Sequence, residues 1–156
     1  MNASGDIVGG YEIFRDMKPG HVEILTAGAR VRELRTGEIL FREGEPAAHF
    51  YLIESGRIAL EARKPTDGVL FVQAIDAGQA VGWSWLFPPY RWHFQARAVE
   101  PTKVIVFDGA RMVAEAERNH DFGYDLLKRV TPVLVHRLNT TRRQLLSCQA
   151  GASLES

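Results

Sequence analysis

The spacing of apolar residues changes twice along this chain and divides its 156 residues into three stretches. From Tyr11 to Val31, apolar side chains stand at Ile13, Phe14, Met17, Val22, Ile24, Leu25 and Val31, with Pro19-Gly20 between them. Intervals of three and four on either side of that break predict two short helices. From Arg32 the pattern becomes a series of short β-branched and aromatic runs: Arg32–Leu34, Ile39–Phe41, His49–Ile53, Arg57–Arg63, Val69–Ala74, Phe94–Val99 and Lys103–Phe107. Turn chemistry separates them at Gly37, Gly44, Glu54-Ser55-Gly56, Thr66-Asp67-Gly68, Gly78 and Glu100-Pro101. Many short strands joined by turns indicate a sandwich or barrel rather than alternating βα units. After Asp108-Gly109 helical spacing takes over, with one helix from about Ala110 to Arg118. Asn119 can cap a second, with Asp121 in its first turn, where a carboxylate suits the positive end of the helix dipole. Leu127, Val130, Leu134, Leu138, Thr141, Leu145 and Cys148 then recur every three or four residues, and Pro132 is expected to kink this helix. The small, polar tail 150–156 is expected to be flexible.

The fold class is therefore mainly β with flanking helices (α+β). One domain accounts for the length, since folding at this size buries roughly 68–70% of the extended chain's surface. An apolar fraction of 46% with 24% charged residues sets aside disordered and fibrous classes. Nineteen basic residues balance nineteen acidic ones, so no overall field draws the chain to nucleic acid or an anionic membrane. Between Leu126 and Gln149 every charge is basic: Lys128, Arg129, Arg137, Arg142 and Arg143. These are expected to form a solvated helix face rather than a nucleic-acid contact. Cys148 is the single cysteine, which excludes an internal disulfide and a thiolate metal cluster within one chain and fits a reducing compartment. Without a signal-like N-terminus or an apolar run of about 18 residues, the chain is expected to be cytoplasmic, with no membrane partner.

The stretch Gly37-Glu38-Ile39-Leu40-Phe41-Arg42-Glu43-Gly44-Glu45-Pro46-Ala47, leading into Phe50-Tyr51-Leu52-Ile53-Glu54-Ser55-Gly56-Arg57-Ile58, closely resembles the front half of the cyclic-nucleotide-binding domain of catabolite activator proteins and protein kinase regulatory subunits. The resemblance covers about Tyr11 to Gln149. It implies a double-stranded β-helix jelly roll with short N-terminal helices and a long C-terminal helix. The domain would span 11–149, with its roll at about 32–108 and its C-terminal helices at about 110–149. In that family the ligand lies under a short cassette, in which a Gly-Glu pair leads into a short helix and then an Arg followed by small residues. Backbone amides and the Arg hold the cyclic phosphate, and the Glu accepts from the ribose hydroxyl. Here the cassette position runs from Gly78 to Phe94. Gly82 matches the family glycine, Trp83 stands where the Glu would be, Arg91 is the candidate phosphate Arg, and Trp92-His93 replaces the small residues.

Trp83, Trp85 and Trp92 lie within ten residues of one another, together with Phe87, Tyr90 and Phe94. Two readings follow. The rings either fill a pocket that smaller residues leave open, or line one that takes a small anionic or planar ligand, with Gly82, Trp83, Ser84, Trp85, Arg91, Trp92 and His93 as the binding set. Cyclic AMP and cyclic GMP are expected to bind weakly or not at all, because an indole offers a donor where the carboxylate would accept. The leading expectation is a non-catalytic regulatory or sensory small-molecule-binding module with a degenerate phosphate-binding cassette. The alternative is a ligand-free dimerisation or protein-docking scaffold with an aromatic-plugged pocket.

A cupin-type metal enzyme comes third, because His21, His49, His93, His120 and His136 show no ligand-like spacing. Ser84 with His93 lacks the Gly-x-Ser-x-Gly elbow of a nucleophilic serine. No catalytic residue, metal or cofactor is assigned. The stripe Leu127, Val130, Leu134, Leu138, Thr141, Leu145 and Cys148 is expected to join two copies as a parallel homodimer. Transcription factors of the resembling family carry a helix-turn-helix domain after the long helix. Seven residues follow Gln149 here, too few for one, so no direct sequence-specific DNA binding is expected of this module.

Overall fold

A computed structural model describes the backbone of residues 8–155 and the side chains of residues 8–150. A 3-10 turn at Glu12–Phe14 precedes helix α1, Pro19–Thr26. Eight strands follow: β1 Arg30–Leu34, β2 Ile39–Phe41, β3 His49–Ser55, β4 Arg57–Arg63, β5 Val69–Asp76, β6 Ala80–Val81, β7 Gln95–Ala98 and β8 Thr102–Asp108. Helices α2, Gly109–Arg118, and α3, His120–Glu155, complete the chain. The strands form two antiparallel sheets in the orders β1-β8-β3-β6 and β2-β7-β4-β5, facing each other as a roll.

Pro19 begins α1 instead of interrupting a helical region, because the first helical position needs no amide donor. The segment before it makes only one 3-10 turn, and Val31 belongs to β1. Strand β6 is absent from the hydrophobic runs because two residues are too short to show alternation. Turn glycines Gly37, Gly44 and Gly56 take φ values of 88°, 87° and 96°, the left-handed geometry expected of them. The Asp108 carboxylate caps α2 by accepting from the Arg111 amide at 3.1 Å, and Asn119 caps α3 by accepting from the Phe122 amide at 3.2 Å. Helix α3 continues through Pro132 and onward to Glu155, so the backbone of 150–155 is helical.

Strand β3 is buried without interruption from Phe50 to Ile53, because both of its faces are covered. Side chains alternate across a strand, so Tyr51 faces the roll interior and stacks with Phe41 of the opposite sheet at 5.9 Å. Phe50 faces the helical side, where it stacks on Phe107 at 4.4 Å and meets Phe14 at 6.4 Å. A polar latch ties α1 to α3. Buried His21 bonds Asp125 at 2.8 Å and lies edge-on to Phe122 at 5.7 Å, while Arg129 donates to Asp125 at 2.7 Å.

Candidate ligand site at the cassette

The alternation of β3 also separates the three tryptophans. Trp83 and Trp85 stack on Phe50 at 5.1 and 5.2 Å, on the helical side of the sheet. Trp92 lies on the other side, 3.9 Å from Phe41 with ring planes 17° apart. All three are buried, but they belong to two clusters rather than one aromatic plug. Filling the fold with indoles leaves the Nε1 donors of Trp83 and Trp85 without a protein acceptor, at roughly 1–3 kcal/mol for each unsatisfied group.

Gly82 makes this arrangement sterically feasible. Its φ is 93°, and a Cβ there would come within 2.9 Å of Trp92 Cη2, so the indole lies directly against the glycine backbone. Residues 82–94 form turns and bends instead of a short helix, with Pro88-Pro89 in the cis form. Within that stretch residues 90–92 pair with 44–47: the Gly44 amide donates to the Trp92 carbonyl at 2.8 Å, and the Ala47 amide to the Tyr90 carbonyl at 2.8 Å. Extended backbone with Trp92 turned inward must turn Arg91 outward. Arg91 is exposed, and its Nη1 donates to the Gly44 carbonyl at 2.9 Å.

A hollow of about 250 Å³ remains between the cassette and α3. It brings together Gly82, Trp83, Ser84, Trp92 and His93 from the expected binding set. Trp85 and Arg91 do not line it. Trp85 instead covers Gly109 at the start of α2, where an added Cβ would meet its ring at 2.7 Å. Leu134 and Arg137 close the hollow from α3. A larger hollow of about 700 Å³ adjoins it between the β5–β6 region and α3, and Arg137 lies on the wall of both.

A family model for the cyclic nucleotide-binding domain matches residues 31–119, from β1 to the residue after α2. The chain belongs to the cyclic nucleotide-binding domain family. Among solved structures, a protein from Geobacter metallireducens GS-15 described as cyclic-nucleotide-binding is similar, with a TM-score of 0.79 and 24% identity over 87% of this chain and 98% of that one. The sensor domain of the transcriptional regulator DNR from Pseudomonas aeruginosa gives 0.69 and 20% over 86% and 90%. The c-di-GMP-responsive global regulator CLP from Xanthomonas campestris gives 0.69 and 21% over 82% and 63%. Among curated proteins, the acetyltransferase Pat of Mycolicibacterium smegmatis is 35% identical over 71 residues, which are 46% of this chain and 21% of Pat. The chain thus spans about a fifth of that relative's length.

In this cyclic nucleotide-binding domain the expected solvated cation face of α3 is corrected at two places. Arg129 is drawn in by Asp125 and by the Ile13 and Arg15 carbonyls, at 3.0 and 2.8 Å. Arg137 lies against the roll, donating to the Ala80 carbonyl, and burial pushes its guanidinium down to about 10. A signal for this was present in the sequence: Val130, Leu134 and Arg137 stand at i, i+4 and i+7, one face of a helix. The apolar stripe divides as well. Val130 is buried against the core and Leu134 packs on it, whereas Leu138, Thr141, Leu145 and Cys148 are exposed. Leu127 is partly exposed at 44%. Among the described residues no three His, Cys, Asp or Glu side chains are grouped to hold a metal, and no helix is long and apolar enough to cross a membrane.

Proposed function

We propose that this domain is a non-catalytic regulatory or sensory module whose small-molecule ligand occupies the hollow between the cassette and α3. The observation carrying this reading is the make-up of the hollow's walls. One side is the cassette, with Trp83 and Trp92, and the other is α3, with Leu134 and Arg137. A ligand there touches the roll and the long helix together, so occupancy and helix position are linked through differential contacts. The exposed Leu138, Leu145 and Leu146 on the same helix offer an apolar surface to a second copy, in a homodimer through which the change would pass.

The cassette chemistry disfavours cyclic nucleotides. Trp83 supplies no carboxylate and packs on Phe50, and Arg91 is turned away toward Gly44. One structure of similar fold has a name that gives c-di-GMP, a cyclic dinucleotide, as its signal, consistent with a fold that accepts ligands besides cyclic AMP and cyclic GMP. The burial of all three tryptophans favours one competing reading, a ligand-free docking scaffold.

Filling the hollow separates the two. Leu134→Trp should abolish the quenching of native tryptophan fluorescence by indole-3-carboxamide or benzamide while leaving the circular dichroism of the roll unchanged. Absence of any saturable response to planar probes in the unmodified protein would favour the scaffold instead.

A further inference from the structure

Among the described residues Lys128, Arg137, Arg142 and Arg143 of α3 have no countercharge, and of these only Arg137 is withdrawn from water, part-buried against the roll. Arg129, about two turns earlier, has Asp125 at 2.7 Å. For Arg137 the Ala80 carbonyl is the one hydrogen-bond partner among the described residues, and burial alone lowers its pKa, with no neighbouring carboxylate acting in the opposite sense. A guanidinium carries five N–H donors, and drawing a cation partly out of water without an anion or a full set of acceptors is costly. A cation so placed calls for an anionic partner.

The two hollows that share Arg137 are not equivalent for that partner. The larger one carries the Glu12 carboxylate on its wall, and its second arginine, Arg129, is already paired with Asp125, so Glu12 disfavours a further negative charge there. The smaller one has no acidic residue on its wall, has Trp92, Phe41 and Phe94 as aromatic surface, and has Ser84 and His93 as further polar groups. Taking the smaller hollow to be the ligand site, as proposed above, we infer that Arg137 is its anion-binding residue and that the ligand is a small planar organic oxyanion. Its carboxylate or phosphate would lie on the guanidinium and its ring against Trp92. The anion is then read from the long helix, not from the cassette arginine position, so charge recognition acts directly on α3.

The test compares benzoate and phenyl phosphate with neutral benzamide, by calorimetry and tryptophan quenching, on the wild type, Arg137→Met and Arg137→Lys. Wild type should bind at least one anion about 10- to 100-fold more tightly than benzamide, the range for hydrogen bonds to a charged group. The tighter of the two anions identifies the head group as carboxylate or phosphate. Arg137→Met should bind benzamide as wild type does, lose the anion preference, and melt at or above the wild-type temperature, since an unpaired, part-buried cation has been removed. A purely structural tether to Ala80 would instead lower the melting temperature and leave the preference intact. Should Arg137→Met not fold, Arg137→Lys serves: a point charge lacks the planar fork, and the preference should fall several-fold. Equal binding of benzamide and both anions by wild type, or an unchanged preference in the variants, overturns this inference and leaves the hollow as a ligand site. No binding of any of the three probes at millimolar concentration overturns both.

Discussion

Replacing Gly82 with Ala measures how closely Trp92 is seated on the cassette. The new Cβ would lie 2.9 Å from Trp92 Cη2 and 3.0 Å from Cζ3, and the indole is stacked at 3.9 Å on Phe41, which limits its retreat. Gly78 is the control. Its φ of 88° is close to the 93° of Gly82, but nothing lies within 4 Å of its notional Cβ. Both substitutions incur the left-handed penalty of about 1–2 kcal/mol. Only Gly82→Ala adds overpacking, of about 1–3 kcal/mol. Urea unfolding followed by circular dichroism should therefore place Gly82→Ala about 1–3 kcal/mol below Gly78→Ala, which at this chain length is a further fall of about 2–12 °C in Tm. In a Trp92→Leu background the excess should disappear, because the shorter side chain no longer reaches the glycine. If Gly82→Ala and Gly78→Ala unfold together in the wild-type background, Trp92 does not occupy the position described.

Changing Leu138 and Leu145, which are 66% and 58% exposed, together to Glu should convert a dimer into monomers in sedimentation velocity; a wild type that is monomeric at micromolar concentration removes the dimer. Leu134 is a poorer probe of the dimer, because it packs on the core. In a parallel dimer the exposed Cys148 should crosslink to its partner under mild oxidation, which requires Cα atoms about 4.4–6.8 Å apart; failure to crosslink argues against parallel helices in this register. For Asp125, burial acts to raise the carboxyl, but hydrogen bonds from His21 and Arg129 outweigh it and hold the pKa below its ordinary value. A depressed folded-state pKa gives stability that is present above the unfolded value of about 3.9 and is lost as pH falls through the folded one. Asp125→Asn should thus be less stable than wild type near neutrality and should flatten the acid limb of a stability–pH profile; an unchanged limb would show that the α1–α3 latch contributes little.

The strands and helices were legible because turn glycines and the change of hydrophobic period mark them locally. Gly37, Gly44 and Gly56 occupy left-handed turns, and Asp108 and Asn119 cap the helices they precede. The cassette was less legible because its side-chain directions depend on pairing that local sequence does not specify. Trp83 and Trp92 are nine residues apart, and only the register of β3 and of the 44–47 segment decides that they lie on opposite faces of the sheet. The same pairing turns Arg91 outward. Arg137 was missed for a different reason: a basic residue in a helix is usually solvated, and its place on the Val130–Leu134 face shows only once that face is assigned to the roll.

The most direct measurement is calorimetric titration of the purified domain with cyclic AMP and cyclic GMP. With no carboxylate at Trp83, a ribose hydroxyl would be left unpaired at about 1–3 kcal/mol, a loss of roughly 5- to 150-fold. Arg91, bonded to Gly44, adds no phosphate contact from within the hollow. The expected result is no saturable heat from either nucleotide at micromolar concentration. Micromolar or tighter binding of either one would contradict the proposal that an aromatic, carboxylate-free cassette turns this domain away from cyclic AMP and cyclic GMP.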